Sequence, residues 1–81
     1  MLTKVLIANR GEIALRIMQS CRELDLDYVI VYTEGDKDSE HVRRNVTNGP
    51  GQNGYRIASY SDPNELFSIA DHTGCTAIHP G

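Results

Sequence analysis

Two glycine-bearing turns are the places in this 81-residue sequence where backbone groups could hold an anion. The first, Asn9-Arg10-Gly11-Glu12, follows the apolar run Val5 to Ala8 and precedes apolar residues at helical spacing. A strand that turns tightly into a helix aims backbone N–H groups above the turn, and the helix dipole favours negative charge there. The second, Gly49-Pro50-Gly51-Gln52-Asn53-Gly54, matches the G-x-G-x-x-G dinucleotide fingerprint letter for letter. That fingerprint works only between a strand and a helix, because the pyrophosphate rests on the helix N-terminus. Here it precedes a short strand pattern, and its proline removes a backbone donor, so no cofactor role is expected there. The turn with the right context carries one glycine only.

Arg10 is out of place by elementary electrostatics. A cation at a helix N-terminus faces the positive end of the dipole, a penalty of roughly a few tenths of a kcal/mol. Either it pairs at the surface with Glu12, Asp36 or solvent, or it meets an anionic ligand or a carboxylate of another domain. Glu12 and Arg16 form an ordinary i,i+4 pair; Arg16, Gln19 and Glu23 form an exposed row that is either a solvated face or half of a polar subunit contact. His41, His72 and His79 show no metal-ligand spacing to each other or to the cysteines. Cys21 and Cys75 read as small buried hydrophobes and not as a disulfide framework. Asn45-Val46-Thr47 fits the glycosylation pattern but follows no secretion signal.

The elements that position these residues alternate. Val5 to Ala8 reads as a strand buried on both faces. Ile13, Ala14, Ile17, Met18, Cys21 and Leu24 then recur as the apolar stripe of a helix. Tyr28 to Thr33 is a second strand, and Ser39 is placed to cap a short helix over Glu40 to Asn45. Asn45 to Gly54 reads as turns, and Tyr55 to Ser59 as a short third strand. Asp62, Pro63 and Glu65 make a capping box with proline at the first helical position; the helix runs through Leu66, Phe67, Ile69 and Ala70 and stops at Gly74. Cys75 to Ile78 is the fourth strand.

This alternation predicts an α/β fold: a small, doubly wound, parallel, Rossmann-like sheet of about four strands with helices on both faces. Ligands of such sheets sit beyond the carboxyl ends of the strands where the winding reverses. A spatial order of 3-2-1-4 puts that reversal between the first and fourth strands. Asn9, Arg10, Gly11 and Glu12 then flank one crevice with His79, Pro80 and Gly81. The length bounds the chain to one domain of marginal stability. A net charge of −3 argues against a nucleic-acid or anionic-membrane partner. No run reaches the length of a membrane span and the amino terminus lacks a signal-peptide pattern, so a soluble, cytoplasmic protein is expected.

The string KVLIANRGEIALRI resembles the opening of the biotin carboxylase family, the ATP-dependent component of acetyl-CoA, propionyl-CoA, methylcrotonyl-CoA and pyruvate carboxylases. The later pieces agree at matching spacing: Leu24, YVIVYT, Asp36-Lys37-Asp38-Ser39 before His41-Val42-Arg43, Ser59-Tyr60, Thr73-Gly74 and Ala77-Ile78-His79-Pro80-Gly81. The resemblance implies a pre-ATP-grasp domain over residues 1–81 and a parent enzyme that uses ATP, magnesium and bicarbonate to carboxylate biotin held on a carrier protein. It implies as partners the ATP-grasp remainder, the biotin carboxyl carrier and a carboxyltransferase, and a homodimer contact at Arg16, Gln19 and Glu23. A mitochondrial location of the parent is compatible with it.

The sequence departs from the family pattern in three places. Arg44 to Gly54 is polar and glycine-rich where the family has Ala-Asp-Glu and an apolar strand. Position 19 is Gln where bacterial members often carry Arg. The chain ends at Gly81, before Tyr-Gly-Phe and the ATP-grasp region that supplies the cationic clamps and metal-binding carboxylates. No catalytic residue is therefore carried over. The expectation is a scaffold domain, inactive alone, with its fourth strand as an exposed sheet edge. The alternatives are a free-standing nucleotide-binding α/β domain and a non-catalytic assembly module.

Overall fold

The computed structural model describes residues 3–45 and 53–80. Strand β1 (Lys4–Ala8) leads into helix α1 (Gly11–Glu23) and strand β2 (Asp27–Tyr32). One 3-10 turn over Glu34–Asp36 precedes helix α2 (Glu40–Arg43), and strand β3 (Gly54–Arg56), helix α3 (Pro63–Thr73) and strand β4 (Ala77–Pro80) complete the chain. The sheet order is β3-β2-β1-β4, all neighbours parallel. The alternation of elements predicts the parallel sheet, and this order, the one assumed above, puts the reversal of winding between β1 and β4.

The central strand is apolar on both sides because both sides are covered. Leu6, Ala8 and Val31 pack with Ile57, Leu66 and Ala70 beneath α3. Ile7 and Ile30 pack on the opposite face with Ala14, Met18 and Cys21 of α1 and Val42 of α2. The helical stripe is narrower than its sequence period: Ile13 and Leu24 are 60% and 69% exposed, lining with Val5, Ile17 and His79 an open groove along the flank of α1. Phe67 of α3 is likewise exposed.

Helix ends explain the other departures from expectation. Ser39 occupies the N-cap of α2 but makes no side-chain cap bond. Asp62 does cap α3, accepting from the backbone N–H of Asn64 at 3.0 Å and of Glu65 at 3.4 Å. The expected box does not close, because Glu65 Oε1 accepts instead from the Ala58 N–H at 2.8 Å and the Asp62 N–H donates to the Ser59 carbonyl. At the far end Gly74 is left-handed, φ 77°, and the Cys75 N–H donates to the Ala70 carbonyl at 2.8 Å. Cys75 is thus spent on the helix cap and stands half-buried, so β4 starts at Ala77, two residues later than its apolar pattern suggests. Strand β3 starts one residue early and stops at Arg56, with the Ile57 N–H adding one more bond to the Tyr32 carbonyl. Of the fingerprint-like run, Gly49 to Gln52 lies outside the described residues, and Gly54 opens β3 and not a helix.

Candidate functional site

The carboxyl ends of β1 and β4 meet where Asn9 leaves the sheet. The register of the two strands sets His79 opposite Ile7 and Pro80 opposite Ala8. Asn9 is buried, 6% exposed, and its side-chain amide donates to the His79 carbonyl at 2.9 Å and lies 3.1 Å from His79 Nδ1. The carbonyl contact requires Nδ2 on that side, so Nδ1 is the acceptor and the ring proton sits on Nε2. One amide therefore ties the two strands across the reversal.

The next residue resolves its own electrostatic misfit. Arg10 is the N-cap of α1, extended and without a side-chain cap. Its guanidinium turns away from the helix to form a bidentate pair with Asp36, Nε to Oδ2 at 2.7 Å and Nη2 to Oδ1 at 2.8 Å. Asp36 is 9% exposed at its side chain and also accepts from Tyr60 Oη at 3.2 Å and Thr33 Oγ1 at 3.4 Å. These bonds join the loops after β1, β2 and β3 at one point. The hydrogen bond from Arg10 holds the Asp36 carboxyl below its ordinary value against the opposing effect of burial, and Asp36 raises Arg10 in return. Burial first, and then Asp36, push the Tyr60 phenol up to about 12. The Arg10 guanidinium also stands 6.0 Å from the centroid of the Tyr60 ring. Of the two readings open for Arg10, the pairing with Asp36 is the one the structure shows.

Ala8, Asn9, Arg10, Ile13, Tyr60 and Ser61 line a hollow of about 520 Å³ above this cluster. Gly11, φ 59°, makes the turn under it, in a left-handed conformation that favours glycine. Glu12 points outward to Arg16 at 2.8 Å, both side chains more than 70% exposed. Gly81 lies outside the described residues. Gln19 and Glu23 are exposed along α1 with Arg16, so the row is intact as a surface. A second hollow, about 460 Å³, lies at the amino ends of β1 and β2 among Lys4, Arg22 and Asp27, away from the reversal.

Sequence reasoning named Asp36 as one of three partners for Arg10 but missed Tyr60 and His41. Tyr60 reaches Asp36 across 24 residues, and no local pattern signals a contact of that range. His41, whose spacing to the other histidines and the cysteines gave no metal signal, is 1% exposed, and burial lowers its proton affinity. Among the described residues no group of three His, Cys, Asp or Glu side chains converges as a metal site would need.

The profile of the biotin carboxylase N-terminal domain matches residues 1–81. The chain is 46% identical over 84 residues to biotin carboxylase 1 of Bacillus subtilis, covering 100% of this chain and 18% of that protein. It is 44% identical over 84 residues to a biotin carboxylase of Pseudomonas aeruginosa, covering 100% of this chain and 18% of that one. Its fold superposes on a crystal structure of the biotin carboxylase subunit of a pyruvate carboxylase with a TM-score of 0.83 at 36% identity, over 100% of this chain and 18% of that chain. The chain thus spans less than a fifth of these relatives' length. With the strand order, the turn at Asn9 to Glu12 and the matched sequence in agreement, this chain belongs to the biotin carboxylase family, as its N-terminal domain.

Proposed function

We propose that the chain acts as the scaffold domain of an ATP-dependent biotin carboxylase, the enzyme that carboxylates carrier-bound biotin with bicarbonate. The observation that supports this reading is the crevice at the β1/β4 reversal. Asn9 bonds to His79 there, with Arg10, Gly11 and Glu12 in the adjoining turn, and the ATP-grasp remainder packs against it. ATP, magnesium and biotin belong to that larger enzyme. Mg-ATP does not fit the described residues as a resident ligand: the turn has one glycine, its arginine is already held by Asp36, and no carboxylate cluster stands nearby to hold the metal. Within the parent, the domain's own residues set the angle and rigidity of the wall they form.

The exposed row Arg16, Gln19 and Glu23 supports a subunit contact of the parent, and the biotin carrier and a carboxyltransferase complete its partners. Among the described residues no helix is long and apolar enough to cross a membrane; a cytoplasmic location is part of this reading. Two measurements test it together. Calorimetric titration of the 81-residue chain with Mg-ATP should show no saturable binding. Expressed with the ATP-grasp remainder, the protein should cleave ATP in a biotin- and bicarbonate-dependent way. Micromolar binding by the chain alone would instead favour a free-standing nucleotide-binding domain. Concentration-dependent sedimentation that Glu23→Arg abolishes would support the subunit contact.

A further inference from the structure

His41 is 1% exposed, and neither of its ring nitrogens has a hydrogen-bond partner among the described residues. Such groups are rare in folded chains, because each gives up its water without a replacement. The reading of the crevice leaves this imidazole without a role.

Its surroundings define what a proton there would do. On this face of the sheet α1 presents Ala14, Met18 and Cys21, β1 presents Ile7, β2 presents Ile30 with Tyr28 and Tyr32 packed at the edge, and α2 itself presents Val42; burial raises the Cys21 thiol, which keeps it neutral. The charged groups acting on the ring are Asp36, from the turn after β2, and Arg10, from the β1–α1 turn, with opposite effects. On its own helix Glu40, Arg43 and Arg44 point outward, Glu40 and Arg44 paired at 2.8 Å. Residues 46–52 carry no titratable side chain. Helix α2 is also continuous with the Arg10 clamp. The Asp36 carbonyl accepts from the Ser39 N–H at 2.9 Å, and the Ser39 carbonyl accepts from Val42 and Arg43 at 3.1 and 3.0 Å.

We propose that His41 is a proton-sensitive pin: neutral, it lets α2 lie on the sheet, and once protonated it leaves, drawing the Asp36 turn with it and releasing Arg10 into the crevice. This goes beyond the scaffold reading and does not depend on it. Burial is the main cause that moves the folded imidazole below its ordinary value of 6.5. The closed form therefore binds fewer protons than the open one. Closure is fully favoured above that value and is lost as the pH falls below it, the opening constant growing up to about tenfold per pH unit.

The test is peptide-resolved hydrogen exchange on the whole protein at about pH 7.5 and about pH 5.5, corrected for intrinsic exchange chemistry. Peptides spanning the Asp36 turn and α2 should lose protection roughly tenfold at the lower pH. His41→Leu should remove that loss while leaving protection at the higher pH intact. An equal loss in wild type and variant, or no loss in wild type, overturns the proposal. Should His41→Leu not fold, the ring nitrogens of wild-type His41 are followed by NMR. Titration coincident with the loss of protection supports the pin, and a ring that gains its proton with α2 still protected overturns it.

Discussion

Replacing Asn9 by Ala should loosen the crevice more than any exposed substitution near it. The side chain makes two contacts to one residue of β4, at 2.9 Å to the His79 carbonyl and 3.1 Å to Nδ1. A neutral hydrogen bond contributes about 1 kcal/mol net. His79 is exposed, so water takes over part of both contacts in the variant, and the loss is about 1–1.5 kcal/mol instead of the full sum. A domain of this size unfolds in urea with a slope of about 1 kcal/mol/M, so the midpoint should fall by about 1–1.5 M. Far-UV circular dichroism reads the transition, since the chain has no tryptophan. Asn9→Asp is the sharper variant. It keeps the shape but has no donor, and it sets a charged oxygen against the His79 carbonyl at a site only 6% exposed. It should lose about 3 kcal/mol, a large part of a small domain's stability. An Asn9→Ala midpoint equal to wild type, or an Asn9→Asp variant as stable as Asn9→Ala, would refute the view that this amide holds β4 to β1.

Three further outcomes follow from the same geometry. Asp36→Asn removes the anion that Arg10, Tyr60 and Thr33 share. Because the folded carboxyl lies below its ordinary value of 3.8, its stabilisation is present above that value and lost as the pH falls through the depressed one; acid unfolding curves of the variant should lack that limb. Met18→Ala empties a side chain that is 1% exposed under α1 and should cost about 2–5 kcal/mol, enough to leave much of the chain unfolded in a thermal melt. Asp25→Gly should stabilise by about 1 kcal/mol, read as a higher urea midpoint, because Asp25 holds φ 57° at the end of α1 and glycine adopts that conformation without strain.

The parts of the fold that were legible in the sequence are those written in short-range pattern. Val5 to Ala8 is an unbroken apolar run because β1 is buried on both faces, and Ala14, Met18 and Cys21 repeat at helical spacing because α1 covers one of them. The pairing of β1 with β2 followed from the short crossover between them, whereas the place of β4 beside β1 entered only as an assumed order that the structure matches. Boundaries failed where a residue had two uses: Cys75 is apolar enough for a strand, yet its N–H closes the end of α3. Glu65 has the right spacing for a capping box, yet Ala58 offers it a donor from another part of the chain. The site divides the same way. Asn9 and His79 could be placed together from topology alone, whereas the meeting of Arg10, Asp36 and Tyr60 depends on three loops that share no local signal. His41, beside Glu40 and two residues before Arg43, looks like any surface histidine until the helix that carries it is laid on the sheet.

The order in which β1 finds its neighbours has a consequence for how the domain is made. Of the described strands β1 leaves the ribosome before the others and is one of the last to be satisfied, because its second partner follows far behind it, Lys4 meeting Thr76 across 72 residues. Until then β1, α1, β2, α2 and β3 can assemble as a unit with one face closed, while Leu6, Ala8 and Val31 wait open for α3. Contacts of such sequence separation form slowly. A nascent chain paused before Leu66 and Ala70 emerge therefore offers an apolar sheet face and the free edge of β1 at once, the surface that a chaperone would engage or a neighbouring nascent chain would capture.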